Sequence, residues 1–228
     1  MGGDDGGDGA PVWLELEVLQ PKQTVLLALL QATCAHLAAS DILCWITGGT
    51  LLGAVRHSGF IPHDDDIDLE CKATDADRIE AAFDDHPLLT FRRGGYWGTT
   101  PVLHVGLRGS DVELDIFARE DPLAEERDFP SEAEVFPLRP RRFHGVEIPG
   151  PADPHPFLAR LYGPSWPDSV KVWSHSFNNF HGLAHDPDRV TLSLAEYRSL
   201  VAAAGYAPPE TPRPDPAAAL EAVFGANG

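Results

Sequence analysis

The chain is 228 residues long, with 35 acidic and 17 basic side chains, a formal net charge of −18 and an apolar fraction of 43%. That length suits one domain around a single core, and the long-range field of so acidic a protein repels nucleic acid and anionic membranes, so neither is expected as a partner. Cys34, Cys44 and Cys71 are odd in number and two lie in apolar stretches, which fits reduced cysteines packed as small hydrophobes. No apolar run reaches the length of a membrane span, and the glycine- and aspartate-rich start lacks the basic and apolar regions of a signal peptide. A soluble, cytoplasmic monomer is the expectation.

Residues 1–11 carry too few apolar side chains to offset the entropy of ordering and are expected as a disordered tail. The folded domain is expected over 12–206, followed by a proline- and alanine-rich tail over 207–228 that ends in a short apolar segment, Ala217 to Phe224. From Pro21 onward, Leu26, Leu29, Leu30, Thr33, Cys34 and Leu37 recur at helical spacing and predict a helix with one buried face. Ile42 to Thr47 predicts a buried strand and Gly48-Gly49 a tight turn, after which Thr50 is expected to cap a short helix running through Arg56 and closed by Gly59. Ile67 to Cys71 predicts a second strand, and Thr74 with Asp77 a helix reaching about Phe83. Val102 to Arg108 and Val112 to Ala118, on either side of Gly109-Ser110, predict a β-hairpin. Beyond Asp121 prolines multiply and periodicity fades. What remains there is a helix at His155 to Tyr162 ended by Gly163, and a capping box of Ser193 with Glu196 opening a helix that stops at Gly205. The sum is an α/β (α+β) fold, a mixed sheet flanked by helices in a single domain.

The chemistry concentrates in Ile61-Pro62-His63-Asp64-Asp65-Asp66-Ile67-Asp68-Leu69, where four carboxylates fall within five positions as a strand begins. Side chains in a strand alternate faces, so Asp66 and Asp68 point one way and Ile67 and Leu69 go to the core. Two such carboxylates repel each other unless a divalent cation lies between them, and hard oxygen ligands of this kind suit Mg²⁺ or Mn²⁺. An acidic run by itself is usually a solvated loop; here the aspartates alternate with aliphatic residues and follow a strand, a glycine turn and a helix start. Glu113-Leu114-Asp115-Ile116-Phe117 supplies a third carboxylate from a later strand. Asp115, bracketed by Leu114 and Ile116, is preferred, with Glu113 on the same face as the alternative. Three carboxylates from two strands can hold two metals about 3.5–4 Å apart, an arrangement suited to phosphoryl transfer. Gly48, Gly49 and Thr50 are expected to hold phosphate, since glycines allow close approach and the amides of a helix start attract anions. Arg56, on the helix after that turn, either clamps a donor phosphate or pairs with the aspartates. His57 reads more simply as a cap or packing residue.

At Gly48-Gly49-Thr50-Leu51-Leu52-Gly53-Ala54-Val55-Arg56-His57, continuing through Gly59-Phe60-Ile61-Pro62 to Asp64-Asp65-Asp66-Ile67-Asp68, the sequence resembles the LicD/fukutin family of the nucleotidyltransferase-fold superfamily. The resemblance is strong over about Leu26 to Asp68, weaker at Val112 to Phe117 and faint at Val146-Glu147-Ile148-Pro149 and Tyr162-Gly163. It implies a glycine pair at Gly48 and Gly49, an Asp-x-Asp strand at Asp66 and Asp68, and a third carboxylate at Asp115. It further implies transfer of a phospho-alcohol, such as phosphocholine or ribitol phosphate, from a CDP-linked donor to a glycan hydroxyl. The tryptophan usual before the aspartate run is His63 in this chain.

The expected activity is a metal-dependent transferase with two Mg²⁺ or Mn²⁺ ions at Asp66, Asp68 and Asp115, forming a phosphodiester between a phospho-alcohol and an acceptor hydroxyl. One alternative keeps the metals but transfers a nucleotidyl group from a nucleoside triphosphate, releasing pyrophosphate. Another is a non-catalytic nucleotide-binding module, which the three filled carboxylate positions disfavour. His175, His181 and His185, among Asn178, Asn179 and Asp186, match no compact zinc spacing and read as an acceptor-binding loop. Lys171, Trp173 and His175 alternate as in a strand, and Tyr162 and Trp166 read as core. Asp121 to Arg189 holds the residues of a small pocket, including Phe143, His144, Trp173, His175 and Phe177, with no extended aromatic platform. A neutral or cationic small molecule, sugar or peptide is therefore the expected acceptor.

Overall fold

A computed structural model of the chain describes residues 16–121, 123–171 and 191–210. The expected N-terminal tail, the expected C-terminal tail apart from 207–210, and the histidine loop with Trp173 and Phe177 lie outside the described residues.

The described residues open with a long helix, α1 (Leu16–Ala39), followed by β1 (Cys44–Ile46), α2 (Gly48–His57) and β2 (Asp68–Lys72). A single 3₁₀ turn leads into α3 (Ala76–Phe83), then three strands follow: β3 (Leu89–Trp97), β4 (Thr100–Leu107) and β5 (Glu113–Arg119). The remainder holds a short α4 (Glu132–Val135), a hairpin of β6 (Arg139–Phe143) and β7 (Val146–Gly150), and α5 (His155–Tyr162). Two three-residue strands, β8 (Ser169–Lys171) and β9 (Thr191–Ser193), pair with each other before α6 (Leu194–Ala203).

Five strands form one sheet in the order β1-β2-β5-β4-β3. β2 and β5 run parallel and every other pair is antiparallel. Alternation sorts the sheet into two faces. One carries Leu69, Cys71, Leu103, Val105, Leu114 and Ile116, all buried in the main core with Leu26, Leu29, Leu30 and Leu37 of α1. Each such aliphatic side chain removed from water contributes about 1.5–3 kcal/mol. The opposite face carries Asp68, Glu70, Asp115 and His104, and it is there that polar chemistry collects. Cys34, Cys44 and Cys71 are free and buried, with the sulfurs of Cys34 and Cys44 3.9 Å apart. Among the described residues no helix is long and apolar enough to cross a membrane.

Several boundaries differ from the sequence reading. α1 starts before Pro21 and contains it as its sixth residue. Thr50 does not cap α2. Thr47 occupies the cap position without a side-chain bond, and Thr50 lies buried inside the helix. The helix is closed by Ser58 in the left-handed conformation rather than by Gly59. α3 begins at Ala76 after Asp75, one residue past Thr74. β3, α4, β6, β7 and β9 were not anticipated, and β8 ends at Lys171, where the strand-like alternation of Lys171, Trp173 and His175 was read to begin. In β3 the Gly94-Gly95 pair interrupts the alternation, and β6 consists largely of arginine with a proline, which obscures its hairpin pairing with β7. α5 and the Ser193–Glu196 capping box of α6 stand as read from sequence.

Candidate functional site

The site is assembled where β1 hands over to α2 and where β2 begins. Gly48 adopts φ +52, and a Cβ on it would lie 2.6 Å from Asp68 Oδ2; one on Gly49 would lie 2.9 Å from Asp64 Oδ2. The glycine pair is therefore required by carboxylates that press on the start of α2. The Gly49 amide donates to the Asp68 carboxylate, directing the positive end of the helix at it.

Asp68 is fixed through its backbone as well. Its amide donates to Thr50 Oγ1 at 2.9 Å, and its carbonyl accepts from the Thr47 amide at 3.1 Å. Thr50, expected to hold phosphate, thus spends its hydroxyl oxygen inside the protein, orienting the strand that bears Asp68. Asp115 stands directly opposite Asp68 on the parallel strand β5, and its amide donates to the Ile67 carbonyl at 2.9 Å. His104 of β4 completes the row, donating from Nδ1 to Asp115 Oδ1 at 2.6 Å. Glu113, the alternative third carboxylate, is engaged in a bidentate pair with Arg92.

The loop before β2 is held from α1. Gln23 Nε2 donates to the carbonyls of Ile61, Pro62 and Asp64 at 3.3, 3.4 and 2.8 Å, while its Oε1 accepts from the Tyr206 hydroxyl at 2.9 Å. Lys22 pairs with Asp65 at 3.1 Å. His63 turns inward, its Nδ1 2.7 Å from the Tyr197 hydroxyl of α6, so it does not occupy the site edge as an aromatic platform.

Crowding dominates the electrostatics. Burial, then the charges of Asp66 and Asp68, push Asp64 well above the usual carboxylate range. Burial, then Asp66 and Asp115, do the same to Asp68. Tyr162 at the end of α5, read from sequence as core, is raised by burial and then by Asp64, Asp68 and Asp66, which places its hydroxyl in the field of the same cluster. Glu70, two residues beyond Asp68 on the same face, is pushed up to about 7 by burial against the opposing pull of Arg119. It lies 3.1 Å from that guanidinium and 3.3 Å from Trp45 Nε1.

Oxygens of Asp64, Asp65 and Asp66 come within 4.8 Å of one another. This grouping differs from the sequence set of Asp66, Asp68 and Asp115. Since Asp65 is paired with Lys22, the mutual repulsion centres on Asp64, Asp66, Asp68 and Asp115. A set of hard oxygen donors whose crowding raises their proton affinity fits a divalent cation, which relieves the repulsion that burial sharpens. Asp64 was missed because strand alternation was counted from Asp66, and His104 because a lone histidine carries no motif.

Arg56 is half-buried, with Nη1 donating to the carbonyls of Trp166 and Ser169 at 3.2 and 3.1 Å and Nε to His57 Nε2 at 3.0 Å. Those bonds tie α2 to the turn before β8. His57, accepting from Arg56, is lowered to about 3 by burial and by that positive neighbour, in keeping with packing. Phe143 and His144, expected in an acceptor pocket, serve the interior instead. Phe143 is fully buried, and His144 Nε2 accepts the Phe60 amide at 2.9 Å.

Residues 41–153 match the family model for the LicD/FKTN/FKRP nucleotidyltransferase domain. The chain is 32% identical over 169 residues to the Rickettsia typhi protein RT0683 and 30% identical over 170 residues to the Rickettsia prowazekii protein RP689. These alignments cover 71% and 69% of this chain but only 53% and 61% of the relatives' lengths. A shorter stretch of 51 residues is 47% identical to the lipopolysaccharide cholinephosphotransferase LicD of Haemophilus influenzae, covering 22% of this chain and 19% of that protein. Among solved structures, ANT(2″)-Ia in complex with adenylyl-2″-tobramycin is similar at a TM-score of 0.45 and 13% identity, over 89% of this chain and 98% of that one. The motif from Gly48 to Asp68, set on a mixed sheet, lies within the segment that matches the LicD/FKTN/FKRP nucleotidyltransferase domain.

Proposed function

We propose that the protein is a metal-dependent transferase that moves a phospho-alcohol from a CDP-linked donor to an acceptor hydroxyl. The match to the LicD/FKTN/FKRP nucleotidyltransferase domain supports the coarser statement, a transferase of the phosphotransferase or nucleotidyltransferase kind. The finer one rests on the in-register pair Asp68–Asp115 with Asp66 and Asp64 beside it, at a helix start that can face a phosphate.

Divalent Mg²⁺ or Mn²⁺ held by Asp66, Asp68 and Asp115 would neutralise the donor phosphates when bound. Gly48 and Gly49 leave room at the start of α2 for the carboxylates of Asp68 and Asp64. The acceptor oxygen forms a bond to the phosphorus bearing the alcohol, the bond from that phosphorus to the CMP oxygen breaks, and CMP leaves. The hydroxyl proton passes to Asp115, which His104 holds in place through Oδ1.

Product analysis tests the reading. Purified protein with Mg²⁺ or Mn²⁺ and a panel of CDP-alcohols and hydroxyl acceptors is expected to release CMP. Release of pyrophosphate from a nucleoside triphosphate instead would replace it with nucleotidyl transfer, which uses the same carboxylates.

A further inference from the structure

The acid face of the sheet continues past the catalytic row. Cross-strand register aligns Asp68, Asp115, His104 and Arg92 in one line, and the next line of that face pairs Phe117 with Val102. Beyond it β3 is irregular. Its register with β4 shifts between Arg93 and Tyr96, so one extra residue is accommodated at Gly94-Gly95. An inserted residue reverses the facing of every side chain that follows. In an unbroken ladder Trp97 would turn to the helix side. The bulge instead pairs it with Thr100 and puts it on the acid face, its ring 6.5 Å from that of Phe117 at an interplanar angle of 79°. Gly94 is also where a Cβ would run into the His104 ring, so the same bulge makes room for the residue that holds Asp115.

Trp97 is 49% exposed. It is nonetheless held in place. Phe117 meets its ring edge-on, Phe117 rests in turn on Phe129 at 5.4 Å, and Trp97 Nε1 points to Asp128 Oδ2 over a long 3.4 Å. An oriented, half-open aromatic ring with a carboxylate at its edge suits a pyranose. The apolar C–H face of the sugar lies on the indole, and a hydroxyl or ammonium donates to the carboxylate. The charge of −18 and Asp128 itself oppose an anionic ring.

We infer that Trp97, with Phe117 and Asp128, forms a distal subsite for a neutral or amine-bearing pyranose ring of the acceptor. The inference rests on the proposed function, in which the acceptor hydroxyl lies at Asp115. Trp97 is four residues along the sheet from the Asp115 line, about 13 Å at strand spacing. That is wider than one sugar ring, so the acceptor spans at least two.

The test probes the full-length protein on an array of neutral, amine-bearing and uronic-acid glycans, alongside Trp97→Ala and Trp97→Phe. Calorimetry with Mg²⁺ and CMP is run on all three proteins. Neutral or amine-bearing glycans of two or more rings are expected to bind, about tenfold more weakly with Trp97→Ala, and closer to the parent with Trp97→Phe. CMP affinity is expected to be unchanged throughout. No glycan binding by the parent protein, equal binding by Trp97→Ala, or preference for uronic acids would overturn the subsite. CMP binding without glycan binding removes the subsite alone; glycan binding without CMP binding removes the proposed function.

Discussion

Gly48→Ala separates backbone strain from damage to the site. At φ +52 an L-residue costs about 1–2 kcal/mol relative to glycine. The new methyl also lies 2.6 Å from Asp68 Oδ2, where ordinary contact begins near 3.4 Å, so the carboxylate must retreat by about 0.8 Å. A misplacement of that size at a reacting centre can cost about 100-fold in rate. Gly109→Ala is the control: Gly109 has φ +84 in the β4–β5 connection, with nothing within 4 Å of its Cβ. Both variants are expected to melt about 2–8 °C lower, from the backbone term alone. Only Gly48→Ala is expected to lose turnover by about two orders of magnitude, together with Mn²⁺ affinity measured by calorimetry. Equal turnover in the two variants would show that Asp68 does not need the space beside Gly48, and the account of the glycine pair would be wrong.

Asp66→Asn combined with Asp68→Asn is expected to abolish turnover while leaving metal-free stability equal or higher, because two repelling charges are gone; retained activity would remove the metal assignment. Arg119→Met strands Glu70 without its guanidinium and is expected to cost about 3 kcal/mol in urea unfolding at pH 8. With Glu70 already held at about 7, part of that loss should disappear at pH 5.5, and a pH-independent loss would count against the buried pair. His57 and His144 are lowered to about 3 and about 4 by burial, from an ordinary 6.5. The unfolded chain therefore binds more protons than the native one between those values, and their contribution falls as pH drops from 6.5 towards 4. Urea midpoints measured across that range should show a shallower fall in His57→Asn/His144→Asn than in the parent; parallel curves would contradict the buried, neutral histidines.

The aspartate run was legible because β2 alternates acid with aliphatic residues, and because Gly48-Gly49 follows a short apolar strand. The partnership of β2 with β5 was not, since no local pattern states that two strands 40-odd residues apart lie parallel and in register at Asp68 and Asp115. Thr50 was assigned to phosphate from its place after the glycines. That its hydroxyl instead takes up the Asp68 amide depends on tertiary contact. β3 escaped detection because a bulge built from two glycines reads locally as a turn. Tyr162 looked like packing, and only the approach of α5 to the aspartates gives it electrostatic weight.

The bonds made by Gln23 bear on where the working unit begins and ends. The segment shared with the family spans 41–153, yet the loop entering β2 is anchored by Gln23 and Lys22 ahead of it, and His63 within that loop is met by Tyr197 far behind. Tyr206 and Gln23, bonded to each other 183 positions apart, close a belt around the acid loop from both directions along the chain. A fragment cut at 41 and 153 would keep the carboxylates of the site and lose the frame that aims them. The carboxylates supply the chemistry of this site, and its rigidity comes from helices at both ends of the chain that reach the loop.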